Sequence, residues 1–153
     1  SGHGTTFRIY IPASGTMRPK STKPADNLVK GDATILLIDD EETVLNIGAK
    51  ILEKIGYRVH AAKCGQEAIQ IYEKEKDKID MVILDMIMPD MDGGRTYEQM
   101  KEINPDVRVI LTSGYGPDSQ VTEIKRRGCD SFIQKPFGIK ELYGKIEEIM
   151  QRE

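Results

Sequence analysis

The feature that most constrains the fold is a regular alternation, over residues 32–153, of short apolar runs with segments of helical spacing. The first run, at residues 35–38, is apolar throughout, as a parallel strand buried on both faces requires. Five strands are predicted in this way, at residues 35–38, 58–62, 80–84, 107–111 and 130–134. Because helical segments separate them, right-handed crossovers produce an open parallel sheet with helices on both faces. The sequence therefore predicts an α/β fold built from five βα units.

The helices are predicted from apolar residues that recur at spacings of three and four. Val44, Ile47, Ile51 and Ile55 predict the first helix, which Gly56 ends. The later helices are marked by Ala68, Ile69 and Tyr72, by Tyr97, Met100 and Ile103, by Val121 and Ile124, and by Ile139, Leu142, Ile146 and Ile149.

Composition and charge exclude several classes of protein. The chain has 153 residues and a net charge of −3, and no apolar run approaches the roughly 18 residues that span a bilayer. It lacks a basic start followed by an apolar block, so we expect no signal peptide and a cytoplasmic location, with any membrane anchor in a longer parent protein. Residues 1–31 hold five Lys or Arg and one Asp, whereas residues 32–153 hold 17 basic and 24 acidic residues. This acidic body argues against nucleic-acid binding.

Polar side chains stand where the predicted strands end. Asp39 and Asp40 follow the first strand, Asp85 follows the third, Thr112 the fourth and Lys135 the fifth. In open parallel sheets the functional crevice lies outside the carboxyl ends of the strands. If the first strand lies between the second and the third, three carboxylates, a hydroxyl and an ammonium group face one pocket.

Each of these residues also has a purely structural interpretation. Asp40 or Glu41 can cap the following helix through backbone N–H groups. Asp85 can begin a turn toward Pro89, Thr112 can be an ordinary strand residue, and Lys135 can be solvated. Their shared position at the ends of intact apolar strands favours the functional interpretation.

Electrostatics favour a metal-assisted phosphoryl site. Clustered carboxylates repel one another and are costly to bury, whereas a divalent cation bound by oxygen atoms cancels two charges and Lys135 cancels a third. The chain's two His and two Cys are isolated, so nothing selects zinc or copper and Mg²⁺ is the expected ion. The metal, Lys135 and the Thr112 hydroxyl would receive phosphoryl oxygens. Asp85 is then the nucleophile that forms an aspartyl phosphate.

Residues 32–153 resemble the receiver domain of two-component response regulators, of the chemotaxis-regulator type. The resemblance is carried by four motifs, which are Ile-Leu-Leu-Ile-Asp39-Asp40-Glu41, Ile-Leu-Asp85-Met-Ile-Met-Pro89-Asp-Met-Asp92-Gly93, Leu-Thr112-Ser113-Gly114 and Lys135-Pro136-Phe137. It implies a flavodoxin-like (βα)5 three-layer sandwich with a five-stranded parallel sheet in the order 2-1-3-4-5.

The resemblance also implies a role for each site residue. Asp85 is the phosphoacceptor, Asp40 binds Mg²⁺ directly, Asp39 binds it largely through water, and the backbone carbonyl of Ile87 adds another ligand. Lys135 pairs with the phosphoryl group, and its peptide bond with the following proline is expected to be cis.

The expected switch involves Thr112 and Phe132. In the family, Thr112 would move toward the phosphoryl group and Phe132 would fill the space, which re-forms the surface of the fourth helix, fifth strand and fifth helix. A plain core role for Phe132 stays open. Neither Ile87 nor Gly114, each two residues after a site residue, offers a polar group to an attacking water molecule. We hypothesise that these uncharged neighbours set the phosphoryl lifetime.

Three regions are predicted along the chain. Residues 1–12, with Gly2-His3-Gly4-Thr5 and an alternating strand-like stretch, resemble the last strand of a histidine kinase ATP-binding domain. Residues 13–31 have linker composition, and residues 32–153 form the receiver domain. This organisation implies the C-terminal receiver of a hybrid sensor histidine kinase, with no DNA-binding output domain after it. A vector-derived or disordered leader at residues 1–12 is the alternative.

The implied partner is the dimerisation and phosphotransfer domain of a histidine kinase, within the same parent or separate, or a histidine phosphotransfer protein. No nucleic-acid or membrane contact is expected. The domain itself would only phosphorylate and dephosphorylate itself, whereas the parent would be a protein-histidine kinase. Alternatives are a stand-alone response regulator and a phosphorylation-independent pseudo-receiver. Two further classes of protein fit the sequence less well. A haloacid-dehalogenase-like phosphatase needs an Asp at position 87, where this chain has Ile87. A flavin carrier needs an uncharged phosphate loop at residues 39–42, where this chain has four acidic residues.

Overall fold

The computed structural model describes residues 32–89, 91–114 and 129–151. In chain order its elements are β1 (Thr34–Ile38), α1 (Glu42–Lys54), β2 (Arg58–Ala62), α2 (Gly65–Glu75), β3 (Met81–Asp85), α3 (Gly93–Ile103), β4 (Val109–Ser113), β5 (Ser131–Gln134) and α4 (Ile139–Met150). The strand-like stretch within residues 1–12, the linker at residues 13–31 and the helix marked by Val121 and Ile124 lie outside the described residues. Because the fourth predicted helix is not among the described residues, the label α4 is given to the fifth predicted helix.

The five strands form one parallel sheet in the order β2-β1-β3-β4-β5, as predicted. β1, β3 and β4 are buried along their whole length, which explains their continuous apolar sequences. Two carboxylates hold neighbouring strands in register: Asp80 accepts the N–H of Thr34 at 2.8 Å, and Asp130 accepts that of Val109 at 2.7 Å. These bonds satisfy backbone donors at the start of β1 and β4, at the edge opposite the predicted site.

Alternate strand residues supply two cores, one on each face of the sheet. The core that includes residues of α2 and α3 contains Leu36, Val82 and Leu111. The core that includes residues of α1 and α4 contains Ile83 and Ile110. Since one-residue steps along a strand alternate between faces, this arrangement gives the predicted three layers. Among the described helices, none is long and apolar enough to cross a membrane.

Helix α1 differs in detail from the expectation. Its buried residues are Leu45 and Leu52, whereas Ile47, on the predicted apolar stripe, is 55% exposed. The stripe at Val44, Ile47 and Ile51 lines an open groove between α1 and α4 instead of the closed core.

Strand β4 begins and ends two residues later than the strand predicted at residues 107–111. Val107 is buried, but its N–H bonds to the carbonyl of Asn104 and its carbonyl accepts from Lys101 Nζ at 3.0 Å. Because both backbone groups serve the turn that follows α3, β4 begins only at Val109 and continues through Thr112 and Ser113.

Candidate functional site

Four polar residues at the carboxyl edge of the sheet lie on the same face. Asp39, Asp85, Thr112 and Lys135 each stand two residues after a residue of the α1/α4 core. Because side chains two positions apart share a face of a strand, all four continue the α1/α4 side of the sheet. The preceding core residues are Leu37, Ile83, Ile110 and Ile133. Strand pairing of β1 with β3, of β3 with β4 and of β4 with β5 then brings the four together.

Three carboxylates converge at this edge. One oxygen atom from each of Asp39, Asp40 and Asp85 lies within 4.8 Å of the others. Asp39 is 2% exposed and Asp85 is 5% exposed, whereas Asp40 is exposed. The cluster therefore has two buried acids and one that faces solvent.

Lys135 joins the two buried acids. Its Nζ atom donates to Asp39 Oδ2 at 2.6 Å and to Asp85 Oδ2 at 2.9 Å. Burial by itself lowers the pKa of the Lys135 ammonium, but its hydrogen bonds to Asp39 and Asp85 and their charges outweigh burial and raise that pKa above its ordinary value. The lysine is therefore charged at neutral pH. The Lys135–Pro136 peptide bond is cis, as the resemblance implied.

Burial raises the pKa of the Asp85 carboxyl above its ordinary value, and the negative charge of Asp39 acts in the same direction. The hydrogen bond and charge of Lys135, with the N–H of Ile87, oppose the rise without cancelling it. The pocket has three acids and one lysine, so a divalent cation would relieve the remaining repulsion.

The donor set fits a hard divalent cation. All ligands in the cluster are carboxylate oxygens, which suit magnesium better than they suit softer metals. Asp40 offers an oxygen toward solvent, so water ligands would have room. Ile87 follows Asp85 closely, and its N–H approaches Asp85 Oδ1 at 3.4 Å. This long contact is compatible with the structural interpretation of Asp85, in which its side chain begins a turn toward Pro89.

The two predicted switch residues lie on neighbouring strands but on different faces. Thr112 is buried, and its hydroxyl makes a long 3.5 Å contact with the carbonyl of Leu84. Phe132 is half-buried against the α2/α3 core and pairs in register with Leu111, next to Thr112. The position of Phe132 is compatible with either a switch role or a plain core role. The roles of Thr112 and Phe132 stay predictions.

Gly93 is a site residue whose role the sequence motif did not reveal. Its N–H donates at 3.1 Å to the carbonyl of Met86, which is the residue directly after Asp85. The preceding residue, Asp92, caps α3 by accepting the N–H of Arg95 at 2.8 Å. The start of α3 is therefore fixed against the backbone of Met86, the residue that follows Asp85.

Three isoleucines near the site are exposed, which the sequence pattern did not predict. Ile47, Ile87 and Ile139 are the large hydrophobic side chains most exposed in the described residues, at 55%, 48% and 47%. A groove of about 350 Å³ between α1 and α4 is lined by Ile47 and Ile139 and also by Lys135. The helical spacing of Val44, Ile47 and Ile51 predicted an amphipathic helix, but spacing alone does not show that this stripe lines a groove.

Comparison with known proteins identifies the class that this fold and site define. The family model of the response regulator receiver domain matches residues 35–147. The chain belongs to this family.

Particular relatives place the receiver in different contexts. The sensor kinase CckA of Brucella abortus (strain 2308) is 33% identical over 162 residues, which include 99% of this chain but 17% of that protein. The sporulation initiation phosphotransferase F of Bacillus subtilis (strain 168) is 33% identical over 116 residues, 76% of this chain and 92% of that protein. A crystal structure of a response regulator receiver domain protein from Clostridium thermocellum has 32% identity and a TM-score of 0.75, covering 78% of this chain and 95% of that one.

Proposed function

We propose that the domain accepts a phosphoryl group from a phosphohistidine onto Asp85 in a two-component phosphorelay. The observation that carries the proposal is the buried carboxylate of Asp85, held 2.9 Å from the Lys135 ammonium and beside two further carboxylates. A structural ion pair would need one acid for one lysine, whereas this pocket gathers three acids around one. The excess negative charge is suited to a divalent ion and, with it, to a phosphoryl group.

In this reaction an oxygen of Asp85 attacks the phosphorus of the phosphohistidine. The new O–P bond forms as the P–N bond breaks, and the electron pair of the broken bond returns to the imidazole nitrogen. Asp39, Asp40, Asp85 and the Ile87 carbonyl would hold Mg²⁺, which when bound supplies Lewis-acid stabilisation of the phosphoryl oxygens. Lys135 contributes a fixed positive charge, and positioning by the strand ends limits the reorganisation that the reaction needs.

Thr112 and Phe132 would convert this charge change into a change of surface. The Thr112 hydroxyl is poorly bonded at 3.5 Å, so little is lost when it moves toward a phosphoryl oxygen. Phe132, on the neighbouring strand, would fill the space that is released. The surface formed by the predicted fourth helix, β5 and α4 would then differ between the two states.

The proposed parent is a hybrid sensor histidine kinase whose receiver lies in the cytoplasm, with any membrane anchor elsewhere in the parent. The alignment with the sensor kinase CckA includes almost the whole chain, residues 1–31 among them. This supports a receiver that follows a kinase ATP-binding domain. The proposed donor is the phosphotransfer domain of that kinase or a histidine phosphotransfer protein. A stand-alone regulator remains the alternative, since the phosphotransferase F relative is similar over nearly its whole length.

Acetyl phosphate with Mg²⁺, followed by intact-mass measurement, tests the central proposal. We expect one phosphoryl adduct on the wild-type domain, none on Asp85→Asn, and none when EDTA removes the metal. Beryllofluoride with Mg²⁺ should shift NMR signals around Asp85 and β5 in the wild type alone. A domain that gives no adduct and no shift would be a phosphorylation-independent interaction module.

A further inference from the structure

The groove between α1 and α4 has the size of a small-molecule site and reaches down to the sheet. Its volume is about 350 Å³, and ligand pockets in proteins begin at about 300 Å³. Ile47 and Ile139 stand exposed at its opening, whereas the buried side chains of Leu37 and Ile83 lie at its floor. A protein surface that covered the two exposed isoleucines would not fill this depth. The shape therefore fits a small molecule better than a protein partner.

Helix α1 is already in close contact with the sheet beside the groove. A methyl group on Gly48 would lie 2.9 Å from Leu37 Cδ2, which is closer than carbon atoms pack, so glycine at this position lets α1 approach β1. Little room is left for α1 to move further onto the sheet, and the space between α1 and α4 therefore stays open. Apolar walls that face water in this way are covered favourably by an apolar ligand.

The polar side chains that line the groove are gathered at one end. Asp39, Thr112 and Lys135 lie at the carboxyl edge of the sheet, and Thr43 lies in the first turn of α1. Among the described residues of the lining, the charged ones are Asp39 and Lys135, which pair with each other at 2.6 Å. Because these two charges offset each other and the other walls are apolar, the groove favours a neutral ligand.

Thr112 can accept a hydrogen bond from such a ligand. Both oxygens of Asp39 already accept, one from the N–H of Glu41 and one from the Lys135 ammonium. The Thr112 hydroxyl donates in a long 3.5 Å contact with the carbonyl of Leu84, which leaves its lone pairs able to accept. We propose that the groove binds a neutral, mostly apolar small molecule, such as an aromatic alcohol or amine, whose O–H or N–H group donates to the Thr112 hydroxyl.

A ligand in the groove would also affect phosphotransfer, and this consequence rests on the proposed function. The molecule would cover Ile47 and contact Thr112, close to Asp85. A phosphohistidine donor that approaches over the same groove would have to displace it first. The bound ligand is therefore expected to inhibit transfer from a protein donor.

Fluorescence titration with N-phenyl-naphthylamine tests for the site. This probe is neutral, carries one N–H group and emits strongly in apolar surroundings, and we expect saturable binding of one probe per domain. Ile47→Trp places a larger ring at the opening of the groove and should weaken binding by about tenfold or more. Asn46→Trp adds the same ring at an exposed neighbour that does not line the groove, and the affinity should stay within about twofold. Thermal unfolding of each variant establishes that it is folded.

Displacement of the probe by naphthol and by the corresponding methylnaphthalene tests the hydrogen bond, because the two molecules have nearly the same size and differ in the O–H group. Thr112→Val should weaken the binding of naphthol by about fivefold and leave that of methylnaphthalene unchanged. An equal effect on both molecules would overturn the contact with Thr112.

No saturable binding of the probe, or equal binding by Ile47→Trp and the wild type, would overturn the site. These titrations involve no phosphoryl group, so their outcome is independent of the proposed function. Transfer from a purified phosphohistidine protein to the wild type should slow when the probe saturates the domain. Unchanged transfer at saturation would overturn the competition between ligand and donor.

Discussion

A methyl group on Gly93 would overlap the backbone carbonyl oxygen of Asp85 and would lie 2.6 Å from the Cα atom of Met86. Carbon atoms do not approach a backbone oxygen or carbon this closely, so only glycine fits between the start of α3 and the backbone of Asp85 and Met86. Since the atoms on the opposite side belong to the backbone, no side-chain rotation can relieve the overlap. Gly93 therefore sets the distance between helix α3 and Asp85.

Gly93→Ala is expected to destabilise the domain by about 1–3 kcal/mol and to slow phosphorylation by acetyl phosphate, because the backbone at Asp85 must shift. Gly144→Ala is a matched control within α4, where nothing lies within 4 Å of the added methyl group. Alanine should stabilise that helix by roughly 0.5–1 kcal/mol. Urea unfolding measures both changes, and a Gly93→Ala variant as stable as the wild type would show that the close approach is not required.

The position of the site could be predicted because it depends on the period of the strands. Asp39, Asp85, Thr112 and Lys135 each follow an apolar strand, and a parallel sheet places strand ends on one edge. The bridge from Lys135 to Asp39 could not be predicted, because it depends on the rotamer that a long side chain adopts among several acids.

Other features depend on three-dimensional contacts that the pattern of residue types does not show. Ile47 has helical spacing with its neighbours, but whether that stripe meets the core or an open groove depends on where α4 packs. Val107 is apolar and buried like a strand residue, but the Lys101 ammonium and the turn at Asn104 take its backbone groups. The role of Gly93 requires the three-dimensional path of the loop after Asp85.

Removing the charge of Asp85 should stabilise the metal-free domain. Burial, reinforced by the charge of Asp39, raises the pKa of this carboxyl above its ordinary value of 3.8, so the ionised form is unfavourable in the folded state. At pH 7 Asp85→Asn should therefore increase the free energy of unfolding by on the order of 1 kcal/mol. Lys135 keeps Asp39 as a partner in this variant.

The stabilisation by Asp85→Asn should depend on pH. A raised pKa means that the folded wild type binds a proton more tightly than the unfolded chain does. The advantage of Asn is therefore largest above the folded pKa and shrinks as pH falls through it toward 3.8. Urea unfolding in EDTA at several pH values measures the difference, with the exposed acid variant Asp106→Asn as the control. If the stability advantage of Asp85→Asn over the wild type were constant between pH 7 and pH 4, the raised pKa of Asp85 would be contradicted.

The phosphoryl lifetime should depend on Ile87. This side chain is 48% exposed beside Asp85 and carries no group that can orient a water molecule toward phosphorus. Ile87→Asn introduces an amide that can do so, and we expect autodephosphorylation to become severalfold faster. Ile87→Leu retains an apolar side chain and should leave the rate unchanged. Loss of the phosphoryl adduct is followed by intact mass after the donor is removed. Equal rates for the Asn variant and the wild type would disprove the dependence on Ile87.

The phosphohistidine donor should contact the groove between α1 and α4. Transfer requires the donor imidazole to come within bonding distance of Asp85, and this groove is lined by both Ile47 and Lys135 of the adjoining site. A donor that reaches the site therefore covers Ile47 as well. We expect Ile47→Ser to reduce transfer from a purified phosphohistidine protein by about tenfold, as for an apolar contact that is lost at a protein interface. Because Ile47 is 55% exposed, folding stability should change little.

Two comparisons separate docking from chemistry in this last case. Labelling by acetyl phosphate needs no protein contact, so it should be equal in Ile47→Ser and in the wild type. Asn46→Ser alters an exposed neighbour on α1 that does not line the groove and should transfer normally. Reduced labelling by acetyl phosphate would place the effect at Asp85 itself. Normal transfer to Ile47→Ser from the protein donor would mean that the donor approaches Asp85 from another side, beyond the reach of α1.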